Sequence, residues 1–214
     1  MMSRPSLLLY DWDNTLVDGW TGITAALNCA FAAFNLRDWS VQDTRERARV
    51  SMRESFPLLF GTDWNDAREI FLTALSAQHL EHVRPMDGAA DLLEAGRPWV
   101  QGVVSNKTGR FLRAEVTHLG WVDFFATVVG AGDAAADKPD PASILLALRN
   151  LNAAAHHDIW YLGDTASDMQ AARAAGITAV LVGDASHDGG VERAAPDLHF
   201  ASAHALAACL RSLA

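Results

Sequence analysis

Leu7-Leu8-Leu9-Tyr10-Asp11-Trp12-Asp13-Asn14-Thr15 is the stretch that decides the fold. Four consecutive apolar residues suit a strand buried on both faces, as parallel sheets require, and they run straight into two carboxylates. In an extended chain, residues i and i+2 point to the same side, so Asp11 and Asp13 can converge just beyond the strand's carboxyl end.

Similar runs recur at Val100 to Val104, Ala126 to Val129, Ile159 to Leu162 and Ala179 to Val182, each short and bounded by Gly, Asp or Ser. Helical patterns separate them: Ala89 to Ala95, Arg110 to Leu119, Ala142 to Leu151 and Asp168 to Ala175. Three of these end at Gly96, Gly120 and Gly176, where a left-handed residue is expected to stop the helix. Pro139 and Pro141 suit the entry of the third. Alternation of strand and helix with short connections predicts an α/β fold, a Rossmann-like parallel sheet whose ligand site lies at the carboxyl ends of the strands.

Residues 17–83 interrupt this alternation. Ile23, Leu27, Ala30, Phe31 and Phe34 follow helical spacing, as do Ala67, Ile70, Phe71, Ala74 and Leu75, while Ser40 with Asp43 reads as a capping box. The expected organisation is a core of residues 1–16 and 84–214 carrying an all-helical insertion, 17–83, able to close over the strand ends.

Composition excludes several functions. The 214 residues are 50% hydrophobic, ample for a core, and carry 17 Lys and Arg against 26 Asp and Glu, a formal charge of −9. That balance argues against nucleic acid and anionic membrane as partners. No run approaches the roughly 20 apolar residues of a membrane span, and Leu7 to Tyr10 is too short for a signal-peptide core. Cys29 and Cys209 lie far apart without metal-ligand spacing and read as buried free thiols in a reducing cytoplasm.

Four segments carry the chemistry: Asp11 to Thr15, Ser105-Asn106-Lys107, Asp137-Lys138-Pro139, and Gly163-Asp164-Thr165-Ala166-Ser167-Asp168. Clustered carboxylates repel unless a hard cation neutralises them, and Mg²⁺ is the ion that pairs with a few carboxylates and phosphate oxygens. Lys138 and the Ser105 hydroxyl can bind the oxygens of a transferring phosphoryl group, and a carboxylate can accept that group covalently.

Asp-x-Asp-x-Thr, then Ser, then Lys, then Gly-Asp-x-x-x-Asp resembles the haloacid dehalogenase (HAD) superfamily, in particular phosphoglycolate-phosphatase-like members with a helical cap after the first strand. The resemblance covers nearly the whole chain, with Arg84-Pro85-Met86-Asp87-Gly88 as the return from cap to core. It implies that Asp11 is the nucleophile and that Asp13 protonates the leaving oxygen, then activates water. Ser105 and Lys138 hold the phosphoryl group. Mg²⁺ sits on Asp11, the backbone carbonyl of Asp13 and Asp164, with Asp168 as ligand or support. Thr15, which orders the first loop, is grouped with Asn106 and Lys107 as residues beside the substrate, a small phosphorylated metabolite. Trp12 and Asn14 depart from the commoner Leu or Met and Gly. Alternatives are a phosphosugar mutase using the same intermediate, a dehalogenase, disfavoured by Asp13, Lys138 and the later acids, and a phosphoacceptor signalling module. Arg45, Arg49 and Arg53 would share one face if helical, and the histidines read as surface residues.

Overall fold

The computed structural model describes residues 4–47 and 52–214. In chain order its elements are β1 (Leu7–Tyr10), β2 (Val17–Asp18), α1 (Trp20–Ala33), α2 (Val41–Arg47), α3 (Met52–Phe60), α4 (Trp64–His82), β3 (Arg84–Pro85), α5 (Ala89–Ala95) and β4 (Val100–Thr108). There follow α6 (Gly109–His118), β5 (Thr127–Ala131), α7 (Ala142–Asn150), β6 (Ile159–Gly163), α8 (Ala166–Ala174), β7 (Thr178–Val182), α9 (Gly190–Ala194), β8 (Leu198–Phe200) and α10 (Ala203–Leu213). The chain divides into two compact units, Met1–Val17 with Pro85–Ala214, and Asp18–Arg84.

The first unit holds a six-stranded parallel sheet in the order β5-β4-β1-β6-β7-β8. All four β1 side chains are buried, each contributing about 1.5–3 kcal/mol through apolar burial, which is why so short a run holds the middle of the sheet. After β1 the chain builds leftward through β4 and β5, then returns to the other side of β1 with β6. That reversal is a switch point of the sheet, and in such folds the ligand position is expected beyond the carboxyl ends of the strands beside it. Leu7, Leu9, Val104, Ile144, Tyr161, Met169 and Leu181 belong to the core that α7 and α8 help to close.

The second unit is helical. Its core is aromatic: Phe31 stacks on Phe60 with ring centroids 5.6 Å apart, and Phe56 meets Phe71 edge-on at 5.3 Å. Ser40 and Asp43 form the expected capping box at α2, with Ser40 N donating to Asp43 Oδ2 at 3.0 Å and Asp43 N to Ser40 Oγ at 3.0 Å.

Several expectations are corrected. Gly120 and Gly176 are left-handed, at φ 70° and 75°, but Gly96 ends α5 at φ −78°. β4 runs to Thr108, four residues beyond the apolar run, because its register with β5 slips between Val104 and Thr108. β8 and α10 were not anticipated. Both cysteines are free, but neither is buried as expected: Cys29 is exposed and Cys209 is half-buried. Arg45 lies on α2 with Nη2 4.0 Å from Asp18 Oδ2, Arg53 lies on α3, and Arg49 falls outside the described residues.

Candidate active site

Three carboxylates meet beyond β1 and β6. Asp11 follows β1, Asp164 follows β6, and Asp168 sits in the first turn of α8; one oxygen from each lies within 4.8 Å of the others, and all three residues are buried. Gly163 makes this approach possible, since a Cβ there would lie 2.5 Å from Asp168 Cβ and Cγ. Asp168 divides its oxygens. Oδ2 accepts from the backbone N–H groups of Asp164 and Thr165 and from Thr165 Oγ1 at 2.6 Å, closing the capping box of α8, while Oδ1 faces Lys138.

Lys138 arrives from the loop between β5 and α7 and is buried. Its ammonium donates to Asp11 Oδ1 at 2.7 Å, Asp168 Oδ1 at 2.7 Å and the Tyr161 hydroxyl at 2.8 Å, matching its three donors one for one. Tyr161 in turn donates to Val104 O at 2.7 Å, so its oxygen lone pairs face the lysine. Burial alone would lower the Lys138 pKa, but Asp11 and Asp168 outweigh it and hold the ammonium well above its usual value. Even so, three acids face one ammonium. Burial, with help from Asp168 and Asp164 and against Lys138, pushes Asp11 up to about 8, and burial likewise raises Asp164. The excess negative charge on hard oxygen donors fits a divalent cation such as Mg²⁺.

Asp13 directs its side chain elsewhere. Its Oδ1 accepts from Lys107 Nζ at 2.8 Å, and that ammonium also donates to Glu115 Oε1 at 2.9 Å and Oε2 at 2.7 Å. Burial raises the Asp13 carboxyl, opposed by Lys107 and reinforced by Glu115. Ser105, Asn106 and Lys107 lie in the irregular end of β4, where the slip in register turns successive side chains to different partners. Lys107 N donates to Ser105 Oγ at 3.2 Å. Asn106 spends both amide groups on Lys138, accepting from its N–H and donating to its carbonyl, each at 2.9 Å. Asn106 and Lys107, expected beside a substrate, are thus committed to protein partners. Thr15 Oγ1 donates to Asp164 Oδ1 at 3.2 Å, tying the β1 loop to β6.

Asn14 has φ 65°, the left-handed conformation that Gly adopts freely and Asn tolerates better than most residues. The departure at position 14 therefore preserves the turn.

Four neighbours of these groups escaped the sequence reading: Glu115, Tyr161, His187 and the indole of Trp12. Glu115 had a signal, because with Phe111, Leu112 and Val116 it occupies the apolar stripe of α6 yet is acidic. His187 Nε2 lies 3.1 Å from Asp164 Oδ2 and its pKa is raised by that contact, so it is not a plain surface residue; it follows β7, whose carboxyl end joins the same edge of the sheet. His79 is buried as well.

Residues 8–182 match the family model described as haloacid dehalogenase-like hydrolase. A phosphoglycolate phosphatase of Xylella fastidiosa (strain Temecula1) is 30% identical over 194 residues, 86% of this chain and 83% of the relative. Phosphoglycolate phosphatase 1 of Pseudomonas aeruginosa is 27% identical over 215 residues, 91% of this chain and 75% of the relative. Among solved structures, a haloacid dehalogenase-like family hydrolase from Streptococcus pneumoniae superposes with a TM-score of 0.86 at 21% identity, covering 97% of this chain and 99% of that one. No described helix is long and apolar enough to cross a membrane.

Proposed function

The chain belongs to the haloacid dehalogenase-like hydrolase family, and from that starting point we propose that it is a divalent-metal-dependent phosphoric monoester hydrolase working through an aspartyl-phosphate on Asp11. The observation that carries this reading is the buried convergence of Asp11, Asp164 and Asp168 with Lys138 bonded to the first and last, beside an Asp13 held apart on its own lysine.

Asp11 and Asp164 would hold the metal together with the backbone carbonyl of Asp13, and Asp168 supports the set while anchoring Lys138. When bound, Mg²⁺ neutralises charge on the phosphoryl oxygens and orients them. A carboxylate oxygen of Asp11 attacks phosphorus as the ester P–O bond breaks, and Asp13 delivers its proton to the leaving oxygen. Asp13, now a carboxylate, takes a proton from water; the hydroxide oxygen bonds to phosphorus and the Asp11–phosphorus bond breaks, releasing phosphate. Lys138 and Ser105 serve the phosphoryl oxygens, with Lys138 exchanging one of its protein acceptors for the substrate. Burial raises the Asp13 carboxyl, in the direction the first step needs, and Lys107 opposes that rise, in the direction the second step needs.

The substrate is a small phosphorylated metabolite, with phosphoglycolate the first choice on the names of the relatives. The two free cysteines suit a reducing cytoplasm. Incubation with p-nitrophenyl phosphate and with a panel of phosphorylated metabolites including phosphoglycolate, each with Mg²⁺ or a chelator, tests the reading. Metal-dependent release of phosphate is expected; turnover unaffected by chelation, or none on any phosphomonoester, contradicts it.

A further inference from the structure

Lys107 and Glu115 are oppositely charged side chains buried against each other, 2.7 Å apart. Their side chains are 5% and 1% exposed. Replacing a buried ion pair with apolar residues of similar volume is often neutral or stabilising, so a pair retained here invites a reason other than the fold. The hydrogen bonds show what the pair holds. Glu115 receives two of the three Lys107 donors, one on each oxygen, leaving the third for Asp13 Oδ1. Glu115 Oε2 also accepts from Trp12 Nε1 at 2.7 Å.

Trp12 lies between Asp11 and Asp13, and its fully buried indole is wedged edge-on against Trp121 at 5.7 Å and Phe125 at 6.4 Å. The result is a closed ring: Asp13 to Lys107, Lys107 to Glu115, Glu115 to Trp12, and Trp12 back to Asp13 through the backbone. Such a ring fixes both the main chain and the carboxyl of Asp13. With Oδ1 occupied by Lys107, proton exchange falls to Oδ2.

We propose that Glu115, Lys107 and Trp12 are positioning residues that hold the Asp13 carboxyl in place to protonate the leaving oxygen, an inference that rests on the acid role assigned to Asp13 above. It also accounts for Trp12, since an aliphatic residue there could not donate to Glu115. None of the three is asked to touch the substrate.

The test separates leaving groups. p-Nitrophenolate departs without a proton, whereas an alkoxide needs one, so kcat/KM for an alkyl phosphate reports on Asp13 and that for p-nitrophenyl phosphate largely does not. The variants are Glu115→Gln, Trp12→Phe and the apolar double replacement Lys107→Met with Glu115→Leu, which retains folding if the ring is not structural. Circular dichroism and thermal melting check each fold.

For the double variant, kcat/KM on glycerol phosphate is expected to fall roughly 10²-fold, with p-nitrophenyl phosphate falling less than about tenfold. Glu115→Gln and Trp12→Phe are expected to show the same asymmetry at smaller size. Equal loss on both substrates, or no loss, in a folded variant overturns the proposal. Asp13→Asn, measured beside them, tells the two failures apart. If it shows the asymmetry and the ring variants do not, the ring alone is wrong; if it lacks the asymmetry, the acid role falls and the ring with it.

Discussion

Two lysines flank the end of β1, and each serves one aspartate of the Asp11/Asp13 pair in a different setting. Lys138 lies among Asp11, Asp168 and the Tyr161 hydroxyl, with Asp164 completing a set of three acids against one ammonium. Lys107 lies between Asp13 and Glu115, two acids against one ammonium, with an indole N–H supplying a further neutral donor. The first cluster has charge and hard oxygens to spare for a divalent ion. In the second, a single proton on Asp13 restores neutrality. On the proposed mechanism these different settings suit two carboxylates of identical chemistry to different work, one to share a cation and receive phosphorus, the other to trade a proton.

The sharpest way to break the contrast is to neutralise each aspartate in turn. Asp11→Asn is expected to lower turnover by about 10⁴-fold or more with the fold intact, as measured by phosphate release and circular dichroism. Asp13→Asn is expected to cost less, about 10²–10⁴-fold in kcat on an alkyl phosphate. Equal losses would erase the distinction between nucleophile and acid.

Removing the lysines should separate the clusters by metal response. Lys138→Met leaves buried acids unpaired, costing about 3–5 kcal/mol of stability, part of which Mg²⁺ should restore. In Lys107→Met, Mg²⁺ should restore no more than it adds to the unaltered protein, because the substitution leaves the proposed ion site of the first cluster untouched. Thermal melting with and without Mg²⁺ decides, and equal rescue of both variants would count against a metal site confined to the first cluster.

A smaller effect concerns pH. Asp11 has its folded pKa pushed up to about 8 by burial from an ordinary 3.8. Its folded value exceeds its unfolded one, so its contribution to stability is complete below about 3.8 and is lost as pH rises through about 8. A divalent ion competes with that proton, so Mg²⁺ should raise the melting temperature more at pH 8 than at pH 6. A stabilisation that shrinks over this interval would contradict the charge excess inferred for the first cluster.

The least effect is expected in the helical unit. Ser40→Ala removes the side-chain cap of α2 and should cost about 1 kcal/mol in denaturant melts while leaving kcat unchanged.

Much of the sheet was legible because its strands are unbroken apolar runs: Leu7–Tyr10 needed no context to be read. β8 was not, since Leu198-His199-Phe200 is an edge strand of three half-buried or exposed residues with no run to mark it. At the site, the ends of β1 and β6 delivered Asp11 and Asp164 where apolar runs stop. What could not be read were pairings set by irregular geometry. Lys107 meets Glu115 because the end of β4 shifts register and because α6 turns an acidic position inward, neither of which spacing along the chain expresses. Asn106 likewise looks like a polar loop residue until its amide is found on the backbone of Lys138.

On the proposed mechanism Asp11 carries the phosphoryl group while Asp13 handles the proton. The most direct measurement is peptide mass spectrometry of Asp13→Asn enzyme quenched in acid during turnover of an aryl phosphate with Mg²⁺, where slowed hydrolysis lets the intermediate build up. A phosphoryl group on the peptide containing Asp11, absent when Asp11→Asn is added, is the predicted result. A phosphoryl group on a different residue, or turnover with none at any quench time, would contradict it.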